Sequence, residues 1–302
     1  MRRFVANAIA VAALTLSSLP PALAQDKLPF QPLSDAEIRA RTDKVIANQH
    51  ANDEALEQYE RVERHVDRTG GENPRILEDK YFRVVPTGPG TMKILLKTNG
   101  AATDSAEYRK QLLAWKNTLE IVLKPNDSRT KTAYAKAEKR KRDRADIVNG
   151  TREAFTVKLV ARELVNGHDC DVIELTSNPS FRPRSTAQEA LTHAVVKIWI
   201  DRNALQLVRG EARITHDMSF GGGLLGKLYR GGVFYLEQAE FAPGVWLPTR
   251  YQYDFTARKF LFTYEEHQFI EITHYRRIGS PEQALAVVRS ELTNPKPIPG
   301  DP

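Results

Sequence analysis

The stretch "AFTVKLVARELVNGHDCDVIELTS", residues 154–177, decides the fold class of this chain. Apolar and polar residues alternate along two runs, and Asn166 and Gly167 separate the runs. Asn-Gly between alternating runs is the strongest short hairpin signal, because both residues accept the left-handed backbone of a tight turn. The stretch therefore predicts two antiparallel strands joined by a two-residue turn.

Further strand-like runs follow this hairpin along the chain. "HAVVKIWID" leads through residues 201–203 into "LQLVRGEARITHDMSF", and "GVFYLEQAEF" leads through residues 242–244 into "VWLPTRYQYDF". Consecutive strands with short turns are typical of an antiparallel meander. We therefore expect an antiparallel sheet over most of the chain after residue 153.

Two helical regions are expected before this sheet. Ser34 with Glu37 forms a capping box, which predicts a helix over residues 34–50. Residues 104–148 predict a helical insertion whose second part is strongly basic. The basic residues of that part are Lys136, Lys139, Arg140, Lys141, Arg142 and Arg144. We interpret them as a solvated helix face, with attraction to an anionic membrane surface as the alternative; nucleic acid is not an expected partner of an exported protein.

The first residues have the features of an export signal. Arg2 and Arg3 precede an apolar run over residues 4–16, and Ala22-Leu23-Ala24 matches a cleavage site. We expect a signal peptide over residues 1–24, cleavage after Ala24 and a periplasmic product. Residue 25 is Gln rather than Cys, so a lipoprotein is not expected.

The remaining chain is expected to form one domain over residues 25–285, and the Pro-rich residues 286–302 are expected to be disordered.

Residues 221–227 read G-x-x-x-x-G-K, the start of a phosphate-binding P-loop. Leu228 occupies the position of the magnesium-binding Ser or Thr, and the following residues alternate like a strand rather than a helix. We therefore expect no nucleotide and interpret the stretch as a flexible connector between two strands, which either forms a lid loop over a cavity or caps the edge of the core. The residues of this lid loop are Gly221, Gly222, Gly223, Leu224, Leu225 and Leu228.

Catalytic and metal-binding motifs are missing from the sequence. None of the seven histidines has H-E-x-x-H spacing, and there is no G-x-S-x-G. His168, Asp169, Cys170 and Asp171 carry ligand-type atoms, but neighbouring strand residues point to opposite faces. We expect no enzyme activity, no metal site and no cofactor, and the single Cys170 cannot form an internal disulfide.

Two rows of aromatic residues near the C-terminus are the most suggestive feature. Their spacing of two residues places each row on one strand face, and we expect a turn over residues 256–259 to bring them together. One interpretation is a core face covered by the N-terminal helix, and the other is the lining of a hydrophobic ligand cleft. The rows are Tyr251, Tyr253 and Phe255, followed by Phe260, Phe262 and Tyr264.

Several strand and turn motifs over residues 150–280 resemble the LolA-like, outer membrane lipoprotein-sorting superfamily, and in particular a long bacterial subgroup of it. These motifs are Trp199-Ile200-Asp201, the Arg-Gly-Glu run at residues 209–211 and Trp246-Leu247-Pro248. The resemblance implies an antiparallel sheet curved into a LolA/LolB-like half-barrel that is closed by helices. The helical insertion at residues 104–148 is additional to a typical member, and with the N-terminal helix it gives the expected α+β fold. The resemblance also implies a carrier of lipoprotein acyl chains in the periplasm.

Two functional hypotheses follow from these observations. The first is a periplasmic carrier or binder of a hydrophobic ligand, such as an acyl chain or a lipoprotein. The alternative is a non-enzymatic envelope sensor or scaffold that binds a protein partner through the open sheet.

Overall fold

The computed structural model describes residues 32–220 and 226–294, and these residues form two compact units. The first unit contains residues up to Ala51, Thr69–Pro74 and Asp143–Gln268, and the second contains Asn52–Arg68, Arg75–Arg142 and the residues from Phe269 onward. This division differs from the single domain expected over residues 25–285. The chain leaves each unit and returns to it, so no linker in the sequence marks the boundary.

The described residues contain five α-helices and thirteen strands. The helices are α1 Asp35–Leu56, α2 Ser105–Val122, α3 Ser128–Ala154, α4 Thr186–Glu189 and α5 Pro281–Thr293, with a 3₁₀ turn at Ala190–His193 after α4. The strands are β1 Tyr59–Arg68, β2 Ile76–Pro86, β3 Thr91–Thr98, β4 Ala101–Ala102, β5 Phe155–Val165, β6 His168–Ser177, β7 Ala194–Asp201, β8 Leu207–Ile214, β9 Met218–Phe220, β10 Gly226–Leu228, β11 Val233–Ala242, β12 Val245–Lys259 and β13 Phe262–Arg277. The expected α+β class, with an antiparallel sheet, an N-terminal helix and a helical insertion, is confirmed.

The sheet of the first unit has the strand order β12-β11-β8-β7-β6-β5, and its ladders are antiparallel. The predicted hairpin between β5 and β6 is confirmed, with Val165 paired to His168. Asn166 and Gly167 have φ angles of 52° and 84°, the left-handed conformation that favours these two residues in a hairpin turn. The Asn-Gly signal thus located this turn correctly.

Helix α1 begins at the predicted capping box. The backbone N–H of Ser34 donates to Glu37 Oε2 at 2.8 Å, and the backbone N–H of Glu37 donates to Ser34 Oγ at 3.3 Å. Ile38 and Val45 of this helix are buried, and Arg41 forms an ion pair with Asp171 of β6. The helix therefore contributes both apolar side chains and a charge contact to the first unit.

The second unit packs the strands β4-β3-β2-β1 against α2 and α5 around one hydrophobic core. Trp115 is fully buried, and its Nε1–H donates to the carbonyl oxygen of Pro86 at 3.0 Å. The core is formed by Val62, Val85, Ile94, Leu96, Tyr108, Leu112, Trp115, Leu119, Ile278, Ala284, Leu285 and Val288. Burial of these side chains is the main stabilising contribution in this unit.

A buried arginine lies at the edge of that core. Arg83 is 1% exposed and donates to Glu60 Oε2 at 2.7 Å and to both oxygens of Glu291 at 2.7 and 2.9 Å. It also donates to the hydroxyl of Tyr108 at 3.0 Å, and its guanidinium lies 5.4 Å from the ring centroid of Trp115. A buried charge requires such partners, because an unpaired one is strongly destabilising.

The helical insertion forms as expected, as α2 and α3. The basic residues 136, 139–142 and 144 are exposed on α3. Lys141 pairs with Glu57 at 3.2 Å, and Arg140 donates to the carbonyl oxygen of Pro89 at 2.6 Å. The exposure of this segment fits the interpretation as a solvated helix face.

Helix α5 corrects the expectation of disorder from residue 286. Residues 286–293 belong to the helix, which begins at a capping box formed by Ser280 and Gln283 with Pro281 in its first turn. Ala284, Leu285 and Val288 are buried in the core of the second unit, so packing holds the helix in place. Residues 295–302 of the predicted tail lie outside the described residues.

The predicted signal peptide, residues 1–24, also lies outside the described residues. Within residues 32–220 and 226–294, no helix combines the length and the apolar character that crossing a membrane requires.

Candidate hydrophobic ligand site

Five aromatic rings of the first unit form a continuous row. Tyr251 and Tyr253 stack on β12 with ring centroids 6.1 Å apart and an interplanar angle of 10°. Phe234 of β11 lies opposite Tyr253 and stacks on Phe255 at 5.6 Å and 21°. Tyr264 of β13 meets Phe255 edge-on at 6.4 Å. We call these five residues the aromatic row.

The aromatic row extends from the core to the surface. Phe234, Phe255 and Tyr253 are buried, whereas Tyr251 is half-buried and Tyr264 is 39% exposed. The buried rings stabilise the sheet, and the outer rings leave apolar surface in contact with water. A hydrophobic molecule can therefore reach the row at Tyr251 and Tyr264 without unfolding the sheet.

The predicted second row is only partly correct. The turn lies at Phe260 and Leu261 instead of residues 256–259, because β12 continues to Lys259, which pairs with Gly226 of β10. Phe260 therefore lies in the turn, and Phe262 is 79% exposed at the start of β13. The expectation that these two rings face an interior is wrong.

The predicted lid loop lies mostly outside the described residues, which exclude residues 221–225. Leu228 is described: it is 1% exposed on β10, opposite Ala257 of β12. Lys227 pairs with Asp217 at 2.7 Å, and the short strand β10 follows the glycine-rich stretch where a P-loop has a helix. Among the described residues, the chain at 226–228, where the helix of a P-loop begins, is therefore a strand and offers no helix N-terminus to a phosphate.

One small cavity lies in the first unit between α1, α3, β5 and β6. Its volume is about 100 Å³. Ligand pockets usually measure roughly 300–1,000 Å³, so this cavity is too small for a long acyl chain. Its lining residues are Arg39, Thr42, Asp43, Ile46, Thr151, Arg152, Phe155, Val157 and Leu175.

The side chains of residues 168–171 are buried or form ion pairs with other residues of the protein. The Arg162 guanidinium forms an ion pair with Asp169, and this hydrogen bond lowers the pKa of Asp169. Cys170 is fully buried, and burial raises the pKa of its thiol to about 12. His168 Nδ1 lies 3.0 Å from Asp201 Oδ2. Within the described part of the chain, no group of three or more His, Cys, Asp or Glu residues is arranged to hold a metal ion.

A set of alternating cations and aromatic rings crosses the opposite face of the same sheet, and the sequence analysis missed it. The Arg209 guanidinium lies 5.4 Å from the Trp199 ring and 5.5 Å from the Tyr235 ring, and Arg250 lies 5.0 Å from Tyr235. Arg209 also pairs with Glu237 at 2.8 Å. The alternation along β7, β8, β11 and β12 was visible in the sequence, but the register that makes these side chains neighbours was not.

Glu211 lies beside these cations and rings, as the cross-strand partner of Tyr235, and its carboxyl has a raised pKa. Burial raises the pKa of Glu211 to about 7, against the opposing charges of Arg209 and Lys197. Lys197 is its partner across the β7–β8 ladder, and Tyr235 is its partner across the β8–β11 ladder. Glu211 therefore changes charge near neutral pH, where an ordinary glutamate is fully ionised.

Comparisons with known proteins found similarity only at the level of structure. No family model matches the sequence, and no curated protein matches it. The structure is similar to that of a DUF1329 family protein from Desulfovibrio piger, with 13% identity, a TM-score of 0.29, and coverage of 80% of this chain and 92% of that one.

Two further solved structures are similar in the same range. One is a domain from Vibrio parahaemolyticus described as an outer membrane lipoprotein-sorting protein, with 10% identity, a TM-score of 0.31, and coverage of 82% of this chain and 99% of that one. The other is a LolA superfamily protein from Nitrosomonas europaea, with 11% identity, a TM-score of 0.29, and coverage of 81% and 96%. Both belong to the group that the sequence motifs resemble. At this identity and TM-score, no function is transferred from them.

Proposed function

We propose that this protein binds a hydrophobic ligand of the acyl-chain class on the aromatic row and carries it within the cell envelope, without catalysing a reaction. One observation carries the proposal: a continuous row of rings reaches from the buried Phe255 to the accessible Tyr251 and Tyr264. The rings together offer apolar surface along which an extended alkyl chain can lie.

The chemistry of the row suits an amphiphilic ligand. Each Å² of apolar surface removed from water contributes about 25 cal/mol, so an acyl chain gains affinity in proportion to the ring surface that it covers. The two accessible members are tyrosines, whose hydroxyl groups can form hydrogen bonds with a carboxylate or an ester. The row thus offers an apolar body with polar groups at its accessible positions.

An envelope location is part of the proposal, and the sequence supports it. Residues 2–24 have the charge, the apolar run and the cleavage site of an exported precursor. An exported carrier has access to the acyl chains of both membranes, which makes such chains the natural ligand class.

Binding of a fluorescent fatty acid tests the proposal. Tyr264→Asp places a charge at the accessible end of the row, and we expect the affinity to fall about tenfold or more, because a desolvated charge opposes burial of the chain. Thr263→Asp is the matched control. Thr263 directly precedes Tyr264 and is also exposed, and it lies on the opposite face of β13. Circular dichroism of both variants verifies that they remain folded.

The outcomes separate the two functional hypotheses. Loss of affinity in the Tyr264 variant alone supports a ligand on the row. Equal affinity in the two variants, or no binding by the parent protein, contradicts the carrier and favours the scaffold that binds a protein partner.

A further inference from the structure

Three consecutive apolar side chains project from the turn between β12 and β13. Leu261 is 91% exposed, Phe262 is 79% exposed and Phe260 is 53% exposed. We call these three residues the hairpin tip. Turns of soluble proteins are normally polar, and a run of exposed apolar residues is unfavourable in water unless it has a function.

The backbone of the turn makes folding an inadequate explanation for these residues. Phe260 has a φ of 53°, a left-handed conformation that favours Gly or Asn and costs a bulky residue free energy. Two-residue hairpin turns usually carry Gly at such a position. The chain therefore retains an aromatic residue where its own fold favours a small one, which indicates a role outside folding.

The residues that flank the hairpin tip along β12 and β13 are polar or charged, and they lie at increasing distances from the tip. Lys259 is exposed immediately before the tip on β12, and Arg258 precedes it. Tyr264 lies two residues behind Phe262, and Glu265 follows at a greater distance from the tip. Strand residues rise about 3.3 Å each, so the tip extends roughly 5–10 Å beyond Tyr264 and the acidic residue.

We propose that the hairpin tip is a membrane-docking element that inserts its three apolar side chains into the interface of an anionic bilayer. The reach of the tip matches the roughly 5–10 Å to which interfacial segments are buried. Lys259 then lies at the level of the anionic headgroups, and Tyr264 occupies the interfacial level at which tyrosines are enriched. Glu265 remains on the aqueous side.

A lipid surface fits this element better than a second protein does. A stable protein interface buries about 800 Å² per partner, formed by some 20–30 residues, whereas this tip offers three apolar side chains. A bilayer needs no complementary surface and accepts a small apolar projection. The inference goes beyond the proposed function, because membrane docking and ligand binding are measured separately.

Co-sedimentation with vesicles of equimolar phosphatidylethanolamine and phosphatidylglycerol tests the inference. The double variant Phe260→Gly/Leu261→Asn removes two apolar side chains and provides the residues that a two-residue turn favours. We expect its vesicle partition coefficient to fall at least about tenfold, while its thermal stability is equal to or higher than that of the parent. A merely structural role of the tip predicts lower stability instead.

Two controls keep the result interpretable. Leu164→Asn replaces another exposed apolar residue, on β5 of the same unit, and should leave vesicle binding unchanged. Lys259→Glu should weaken binding to the anionic vesicles and leave binding to pure phosphatidylcholine vesicles unchanged. Fatty-acid binding should be the same in all three variants, which distinguishes failure of this inference from failure of the carrier function.

Three results would overturn the inference: no vesicle binding by the parent protein, equal binding by the double variant, or a parent dimer that the double variant converts to a monomer. If the double variant does not fold, Leu261→Asp replaces it, because the Leu261 side chain is almost entirely in solvent. Equal vesicle binding by Leu261→Asp and the parent would contradict docking through the tip.

Discussion

Replacing Glu211 by Gln should stabilise the protein at alkaline pH and stabilise it much less in mild acid. The ordinary pKa of the carboxyl is 4.5, and the pKa in the folded protein is raised to about 7 by burial. Between these values the folded protein holds a proton that the unfolded chain releases. The contribution of Glu211 to the free energy of unfolding therefore falls as the pH rises from about 4.5 to about 7 and is constant above this range.

The magnitude follows from the size of the shift. One pKa unit corresponds to 1.36 kcal/mol, so ionisation of the folded carboxyl costs up to about 3 kcal/mol. Gln has the shape of the protonated side chain and no charge to lose. At pH 8 the variant should be more stable than the parent by up to about 3 kcal/mol, and at pH 5, only slightly above the unfolded pKa of 4.5, by less than about 1 kcal/mol.

Urea unfolding at pH 5 and pH 8, followed by circular dichroism, measures both differences. Glu72→Gln is the matched control, because it removes the same charge at an exposed position of the same unit. The reasoning is refuted if Glu211→Gln equals the parent at pH 8. A gain of equal size at pH 5 would also refute it, because the effect would then be independent of protonation.

Three further substitutions test the packing of the fold. Arg83→Met leaves Glu60 and Glu291 without their buried cation and should destabilise the second unit by about 3–5 kcal/mol in urea unfolding; a loss under about 1 kcal/mol would contradict the role of the network. Ser280→Ala removes the cap of α5 and should cost about 1 kcal/mol by the same assay, with no change as the contrary result. Gly167→Ala forces a side chain onto a φ of 84° and should lower the thermal midpoint by the equivalent of about 1–2 kcal/mol, whereas an unchanged midpoint would show that the turn adapts.

Local signals in the sequence predicted much of the fold. The capping box at Ser34 and the Asn-Gly turn at Asn166 depend on neighbouring residues alone, and both form as expected. Helix α5 carried an equally local signal, since Ser280 and Pro281 precede Glu and Gln, but the prolines after residue 293 led to an expectation of disorder. The error came from composition, which is less informative than a specific cap.

The site depended on features that a sequence does not display. The turn at Phe260 has neither Gly nor Asn to mark it in the sequence, and β12 continues through Lys259, which pairs with Gly226 of β10. Arg209 meets Trp199 and Tyr235 because of cross-strand register, and Arg83 meets Glu291 over 208 residues of chain. These contacts are set by tertiary structure, whereas the alternation of Tyr251, Tyr253 and Phe255 was sufficient to predict their shared face.

Site-specific fluorescence quenching tests the central claim, that a hydrophobic ligand lies on the aromatic row. Tyr251→Trp places a tryptophan at an accessible position of the row, and the native Trp115, Trp199 and Trp246 are all buried. Tyr134→Trp, at an exposed position of α3, is the control. Below its micellar concentration, a fatty acid brominated on its chain should quench the added emission of the Tyr251 variant saturably and leave that of the Tyr134 variant unchanged. Equal quenching of both variants, or of neither, would contradict a ligand on the row.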